Sequence, residues 1–339
     1  MPTDEKGTQI QSSQAIVDAD LFFTVHNVAT TPVTKTKTGT LIKTWLKAYL
    51  DTLYPTSGPQ GFGDNYVITP SISTNNLVVE MKTIAGVDPS TSDPIPFRIG
   101  NTKRTLTAAL SLTVTAGTSI FNAGATEFAA KKIQLFVYIG WRAASSTIFL
   151  GLSRMPGGRT YADFSATSTN ELYLAYTGSA PASTDVVEVI GRIDAQNSGT
   201  ASYNWSLPSG AVVVNKPIHF TNWLTYVPTI TGYSANPTNA VYRYRIVVED
   251  CFYEMQEGTA GTSNATTKTY SMPFTSKTLT NMAWGGSVIT YNNGVLDAMG
   301  YVQVNSNSAI ATMYRSGAAV WTASGAANVF QVYGKFPLI

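Results

Sequence analysis

The sequence predicts a mainly β protein, with a small N-terminal adaptor carrying one α-helix followed by two β-sandwich-like modules. Three observations carry that expectation. From Leu77 onward apolar residues alternate with polar ones, the period of a half-buried strand. Turn formers such as Asp88-Pro89, Met155-Pro156-Gly157-Gly158 and Asn197-Ser198-Gly199 cut the alternation into short pieces. Only one long stretch, Thr40 to Tyr54, has helical spacing. The expected divisions are an adaptor over 1–55, a central module over 56–220 and a C-terminal module over 221–339.

In the adaptor, Ala19 to Asn27 reads as a strand, and the Thr/Lys-rich Val33 to Thr40 as an extended piece leading into the helix. The helix, expected over 40–54, is capped by Thr40 and stopped by Pro55. Its apolar residues, Leu41, Ile42, Trp45, Leu46, Tyr49, Leu50, Leu53 and Tyr54, spread over more of the circumference than one supporting surface would cover. Four turns are marginal alone in water, so this segment is read as a docking element covered from two sides. Leu41, Trp45, Leu46, Tyr49 and Leu53 are its candidate contacts with a partner protein or other subunits. Gly58 to Gly63 follows as a linker, because its glycines and proline break any regular element.

In the central module Leu77, Val79 and Met81 share one strand face, and Leu106, Ala108, Leu110, Leu112 and Val114 another. Further strands are expected at Ile133 to Ile139, Thr147 to Leu152, Glu171 to Tyr176, Val186 to Ile193 and Ala201 to Leu207. In the C-terminal module the strongest runs are Val241 to Glu249, Phe252 to Gln256, Thr267 to Met272, Val295 to Val304, Ile310 to Tyr314 and Val329 to Tyr333. Asn293-Gly294 supplies the positive φ angles that a two-residue hairpin turn requires.

Composition narrows the function. Only 12% of the 339 residues are charged and the net charge is +2, so no basic stripe is available to bind nucleic acid by counterion release. The chain is nevertheless expected to fold, since 44% of it is hydrophobic, with 14 Phe, 18 Tyr and 6 Trp. Residues 1 to 10 lack the apolar centre of a signal peptide. The most apolar window, Ile133 to Leu152, is interrupted by Gln134, Arg142 and Ser145-Ser146-Thr147, and reads as two strands rather than a membrane span. The single cysteine, Cys251, excludes an internal disulfide and is read as a small buried apolar side chain.

Residues for catalysis are sparse. His26 and His219 are the only histidines and neither adjoins a nucleophile turn. No spacing of a dedicated zinc site occurs, Asp88 and Asp93 lack the ligand pattern of a calcium loop, and no cofactor is expected. Asp250 and Glu254 would share a strand face about 13 Å apart, further than glycosidase carboxylates stand. Gly157-Gly158-Arg159 is read as a turn, since no helix follows to make a phosphate loop. The candidate binding residues are Trp284, Tyr314, Arg315 and Trp321, whose rings and guanidinium adjoin polar loops and suit a sugar face or a protein surface.

Asp18 to Val25, Thr34-Lys35-Thr36-Lys37 and Lys47-Ala48-Tyr49-Leu50 together resemble the virion-proximal segment of bacteriophage tail-fibre and minor structural proteins. Asn76 to Ser90, Phe97-Arg98-Ile99-Gly100-Asn101-Thr102, Val137 to Gly140, Asp163 to Thr167 and Glu188-Val189-Ile190-Gly191-Arg192 resemble a module of phage virion proteins. Val227-Pro228-Thr229, Tyr242 to Val247 and Tyr270 to Phe274 are similar to fibre tips, which carry Arg-Ile-Gly where this chain has Arg245-Ile246-Val247. The resemblance implies a non-enzymatic virion protein, assembled in the host cytoplasm, that attaches to a host surface glycan or protein receptor. A baseplate or capsid decoration protein and a glycan-cleaving tailspike are the alternatives. The implied partners are two further copies in a homotrimer and other tail, baseplate or capsid proteins, without nucleic acid or membrane insertion. If the helix is the anchor, Trp45→Asp with Leu46→Asp is expected to abolish incorporation into particles, measured by immunoblot of purified virions. Incorporation at the wild-type level by a normally folded double variant would exclude that role.

Overall fold

The computed structural model describes residues 21–26, 33–38, 65–200, 202–259, 261–263, 267–280, 282–292, 295–315 and 324–338. The helix expected over 40–54, with Leu41, Trp45, Leu46, Tyr49 and Leu53, lies outside them, as do the linker and Trp321. The chain divides into two compact units, Met1–Gly61 and Phe62–Ile339. In the first, β1 (Leu21–His26) and β2 (Val33–Thr38) pair antiparallel, with Leu21 opposite Thr38 and His26 opposite Val33.

The second unit begins with β3 (Val67–Ser73) and β4 (Asn76–Lys82), a hairpin turned at Thr74 and Asn75, both with positive φ. β5 (Ile95–Ile99) and β6 (Thr102–Leu106) form a second hairpin, and β7 (Leu110–Val114) returns to pair with β4. The next strands are β8 (Lys132–Arg142), β9 (Thr147–Ser153), β10 (Ala175–Tyr176), β11 (Val186–Asn197), β12 (Trp205–Ser206) and β13 (Val213–Val214). They form a sheet in the order β10-β9-β8-β11-β12, with β13 also on β11. Strand β8 is buried from Ile133 to Gly140 because both its faces are covered. Ile133, Leu135, Val137 and Ile139 join the main core, whereas Phe136 and Tyr138 join a smaller one with Phe149, Met155 and Phe164. A strand covered twice reads as a continuous apolar run, which is why this window is the most apolar in the sequence.

The C-terminal part contains β14 (Leu224–Thr225), β15 (Ile230–Thr231), β16 (Tyr233–Ala235), β17 (Thr238–Val247), β18 (Asp250–Thr259), β19 (Gly261–Ser263), β20 (Lys268–Ser271), β21 (Ala283–Asn292), β22 (Val295–Asn305), β23 (Ile310–Arg315) and β24 (Ser324–Pro337). Nine of them follow the order β14-β17-β18-β24-β21-β22-β23-β20-β15, with β16 and β19 attached at the side. The last strand thus lies between β18 and β21. The sheet curls, bringing the ring of Tyr270 on β20 to 6.1 Å from that of Tyr242 on β17. Where the sequence has Asn293-Gly294, Asn292 pairs with Val295 across a two-residue connection.

The sequence divides this region at 220/221 into two modules in series. In the structure residues 62–339 are one compact unit, and one apolar core runs from Tyr66 to Leu338. Arg154, which follows β9, explains the continuity. It is 1% exposed and its guanidinium donates to the Phe121 carbonyl at 3.1 Å and to the Tyr244 hydroxyl at 2.9 Å. Its carbon centre lies 4.1 Å from the ring of Phe128 and 4.5 Å from that of Phe274. A buried cation is tolerable only when its donors and charge are met, and here π faces and oxygens from both halves meet them. Residues at the 220/221 boundary add to the join. Gln134 accepts from the Asn222 amide at 2.8 Å and donates to Asp194 at 2.7 Å, while Arg192 donates to the Phe220 carbonyl at 2.7 Å.

All regular structure among the described residues is strand except one 3-10 turn, Tyr161–Asp163. Arg154→Ala is expected to destabilise the chain by about 3 kcal/mol, by leaving the Phe121 carbonyl and Tyr244 hydroxyl without their donor and emptying the space between two rings. Arg154→Lys should recover only part of this, since an ammonium lacks the planar fork. Chemical denaturation checks both. An alanine variant within about 0.5 kcal/mol of the native chain would contradict the assignment.

Candidate functional site

The alternation in β17 and β18 decides which side chains reach solvent. Tyr242, Tyr244 and Ile246 of β17, and Cys251, Tyr253 and Met255 of β18, point into the core. Their neighbours Arg243, Arg245, Phe252 and Glu254 therefore lie on the outer face, where Glu254 is covered by its partners and only 4% exposed. Register extends the outward row over six strands. Arg243 pairs with Glu254, Glu254 with Tyr333, Tyr333 with Ser287, Ser287 with Tyr301 and Tyr301 with Tyr314.

The row is linked side chain to side chain at both ends. The Tyr333 hydroxyl donates to Glu254 Oε1 at 2.8 Å, and Arg243 forms an ion pair with Glu254 Oε2. Burial by itself would raise the Glu254 carboxyl, but the hydrogen bonds from Arg243 and Tyr333 outweigh it and hold the group below the usual carboxylate range. At the other end the rings of Tyr301 and Tyr314 stack at 4.9 Å with planes 18° apart. Tyr301 and Tyr333 are about half exposed, at 49% and 51%, and Met299 nearby is 62% exposed. Arg243 and Arg245 each lie 5.1 Å from the ring of Trp223. Gly334 keeps β24 close to β18, because a Cβ there would stand 2.2 Å from the Tyr253 hydroxyl.

This surface offers flat rings, tyrosine hydroxyls and fixed charges without an enclosed cavity. It suits ring stacking and peripheral hydrogen bonds to an extended ligand. Tyr314, expected as a contact, belongs to it. Trp284 does not: it is opposite Val304, on the inner face of β21, half-buried and packed against the core. The polar glycines after it suggested exposure, but the strand continues through them. Arg315 ends β23 opposite Gly300. Trp223, Arg243, Tyr301 and Tyr333 were not singled out in the sequence. Their signal was the Tyr-Arg-Tyr-Arg alternation at 242–245 and the Tyr301-Val302-Gln303-Val304 alternation, yet the strand pairing was needed to align them.

Other chemistry-bearing residues are otherwise engaged. Asp250 pairs with Lys335 at 3.0 Å, Asp88 with Lys82 at 2.8 Å, and Asp93 accepts from Asn65 at 3.1 Å. Cys251 is free and buried, and burial pushes its thiol far above the usual range. Among the described residues no three His, Cys, Asp or Glu side chains gather as a metal site. No family model matches the chain, and comparison with curated proteins and with solved structures finds no match.

One buried acid stands behind the surface. Glu257 of β18 is fully buried and accepts from Tyr270 at 2.8 Å, Tyr233 at 3.2 Å and Tyr242 at 3.3 Å, with the Lys268 ammonium 4.6 Å from the Tyr233 ring. Burial pushes its carboxyl up to about 8, against the lowering by the tyrosine hydroxyls and Lys268. The folded chain thus keeps a proton that the unfolded chain releases near the ordinary carboxyl value. Stability should fall as pH rises from about 4.5 to about 8, with no further contribution beyond. Denaturant midpoints across pH 5 to 8.5 test this, with Glu257→Gln as the comparison. The variant should lose that downward component, and an unchanged slope would place the dependence elsewhere.

Proposed function

We propose that the chain is a non-enzymatic bacteriophage virion protein of the tail-fibre or receptor-binding class, which attaches to host surface glycan through the outer face of its C-terminal sheet. The observation that carries the attachment reading is the registered row from Arg243 to Tyr314, with its stacked and exposed tyrosines. Sugar rings present apolar C–H faces to aromatic planes and hydroxyls to charged groups, and this row supplies both within one sheet. The virion reading rests on the resemblance of the leader, the central segments and the 242–247 strand to fibre proteins. A homotrimer held by the N-terminal segment is part of the same proposal, and would present three such faces.

Support for a binding rather than a cleaving role comes from the carboxylates. Asp250 and Glu254 are each tied to a cation, and Glu254 is held ionised, which does not suit a general acid. Replacing Tyr301 and Tyr314 together by Ala is expected to slow adsorption of phage to host cells at least about tenfold, with thermal stability and particle assembly retained. The measurement is the adsorption rate constant, with sugar release followed in parallel. Unchanged adsorption would exclude this face and favour a decoration role. Depolymerised glycan lost on Glu254→Gln would instead favour a tailspike.

A further inference from the structure

Six sequence segments meet at two adjoining cavities, among them the Val248-Glu249 turn that joins β17 to β18. A cavity of about 250 Å³ is lined by Arg98, Glu188, Asn215, Lys216 and His219, and an adjoining one of about 120 Å³ by Gly157, Arg159, Glu249 and again Glu188 and His219. These volumes lie at or below the small end of ligand sites, the size of one sugar residue rather than a chain.

The polar groups are held in place by the backbone. Gly100, at φ +59°, turns the β5–β6 hairpin so that its N–H donates to Glu188 at 3.2 Å while its carbonyl accepts from Arg98 Nε at 3.3 Å. One peptide turn thus positions an acid and a base beside the same opening. Asn215 is anchored by accepting from the Ile68 amide at 2.8 Å. Gly157 lets its turn approach Glu249, since a Cβ there would lie 2.9 Å from the Glu249 side chain.

His219 is fixed in the same way. Its carbonyl accepts from the Val248 amide at 2.7 Å, and its Nδ1 lies 3.1 Å from the Pro156 carbonyl. A carbonyl oxygen only accepts, so Nδ1 carries a proton, and in the uncharged ring this tautomer leaves Nε2 as the acceptor of a residue that lines both cavities. The opening therefore offers cations at Arg98 and Lys216, and acceptors at Glu188 and His219 Nε2. A ligand that satisfies both sets carries a carboxylate together with hydroxyl donors.

We propose that this cleft is a second binding site, for a single acidic sugar residue of the hexuronate type, its carboxylate held by Arg98 and Lys216 and its hydroxyls donating to Glu188 and His219. The site is independent of the tyrosine row. The chain has two histidines, so imidazole-labelled protein gives two ring signals, and His219→Gln assigns one of them. Titration of the full chain with sodium galacturonate should shift the His219 signal saturably, and equimolar galactose should not. Arg98→Ala with Lys216→Ala, both exposed positions, should weaken the response at least about tenfold. Tyr301→Ala with Tyr314→Ala should leave it unchanged, which separates this site from the outer face. No saturable shift, an equal shift with galactose, or full binding by the Arg98 and Lys216 variant would each overturn the proposal.

Discussion

A guanidinium enclosed by two phenylalanine rings joins the two halves of the main unit, and much of the architecture depends on it. Arg154 follows a strand of the central sheet, yet its partners are Phe121 and Phe128 on one side and Tyr244 and Phe274 on the other. No carboxylate among the described residues forms an ion pair with it. The charge is instead balanced by ring quadrupoles and two oxygens, all of which must be in position together. That requirement selects one relative placement of β9, the 115–131 loop and β17. The tyrosines around Tyr244 then pack in sequence, with ring centroids 6.0 Å to Tyr226 and 5.5 Å to Phe274.

The outer face inherits its order from this interior. Because β17 is held from within through Tyr244, its alternate residues Arg243 and Arg245 are fixed on the solvent side, where they border Trp223 and the Glu254 carboxylate. Glu254 accepts from two strands at once, so it locks β17, β18 and β24 in register at one level of the sheet. The stacked tyrosines lie two and three strands further along the same row. A surface built on paired strands loses little conformational freedom on binding compared with one built on loops. The His219 cleft follows the same logic on a smaller scale, with two backbone groups of Gly100 orienting its acid and base.

The mainly β character and most strands were legible in the sequence, because strand alternation is a local property. Both strands of the leader, the split of the apolar window into β8 and β9, and the Asn-Gly hairpin were legible for that reason. The unity of residues 62–339 was not. It arises from Arg154, Gln134 and Arg192 contacting residues tens of positions away, and a buried arginine looks in sequence like any surface one. Tyr314 was expected to reach solvent and does, whereas Trp284 packs against the core because its neighbours Gly285 and Gly286 continue a strand instead of making a turn. Tyr301 and Tyr333 gained meaning only from register, since β24 inserts between β18 and β21. The segment expected as an anchoring helix, 40–54, and Trp321 lie outside the described residues.

The central claim is that the tyrosine row is the working surface. Hydroxyl-radical footprinting of the chain, free and mixed with purified host envelope, reads it directly at the side chains. The account predicts that oxidation of Tyr301, Tyr314 and Tyr333 falls sharply in the mixture, while Tyr161 and Tyr176, half-buried beside the smaller core, stay as reactive as before. Equal oxidation of the three outer tyrosines in both samples, with protection confined to another part of the chain, would contradict it.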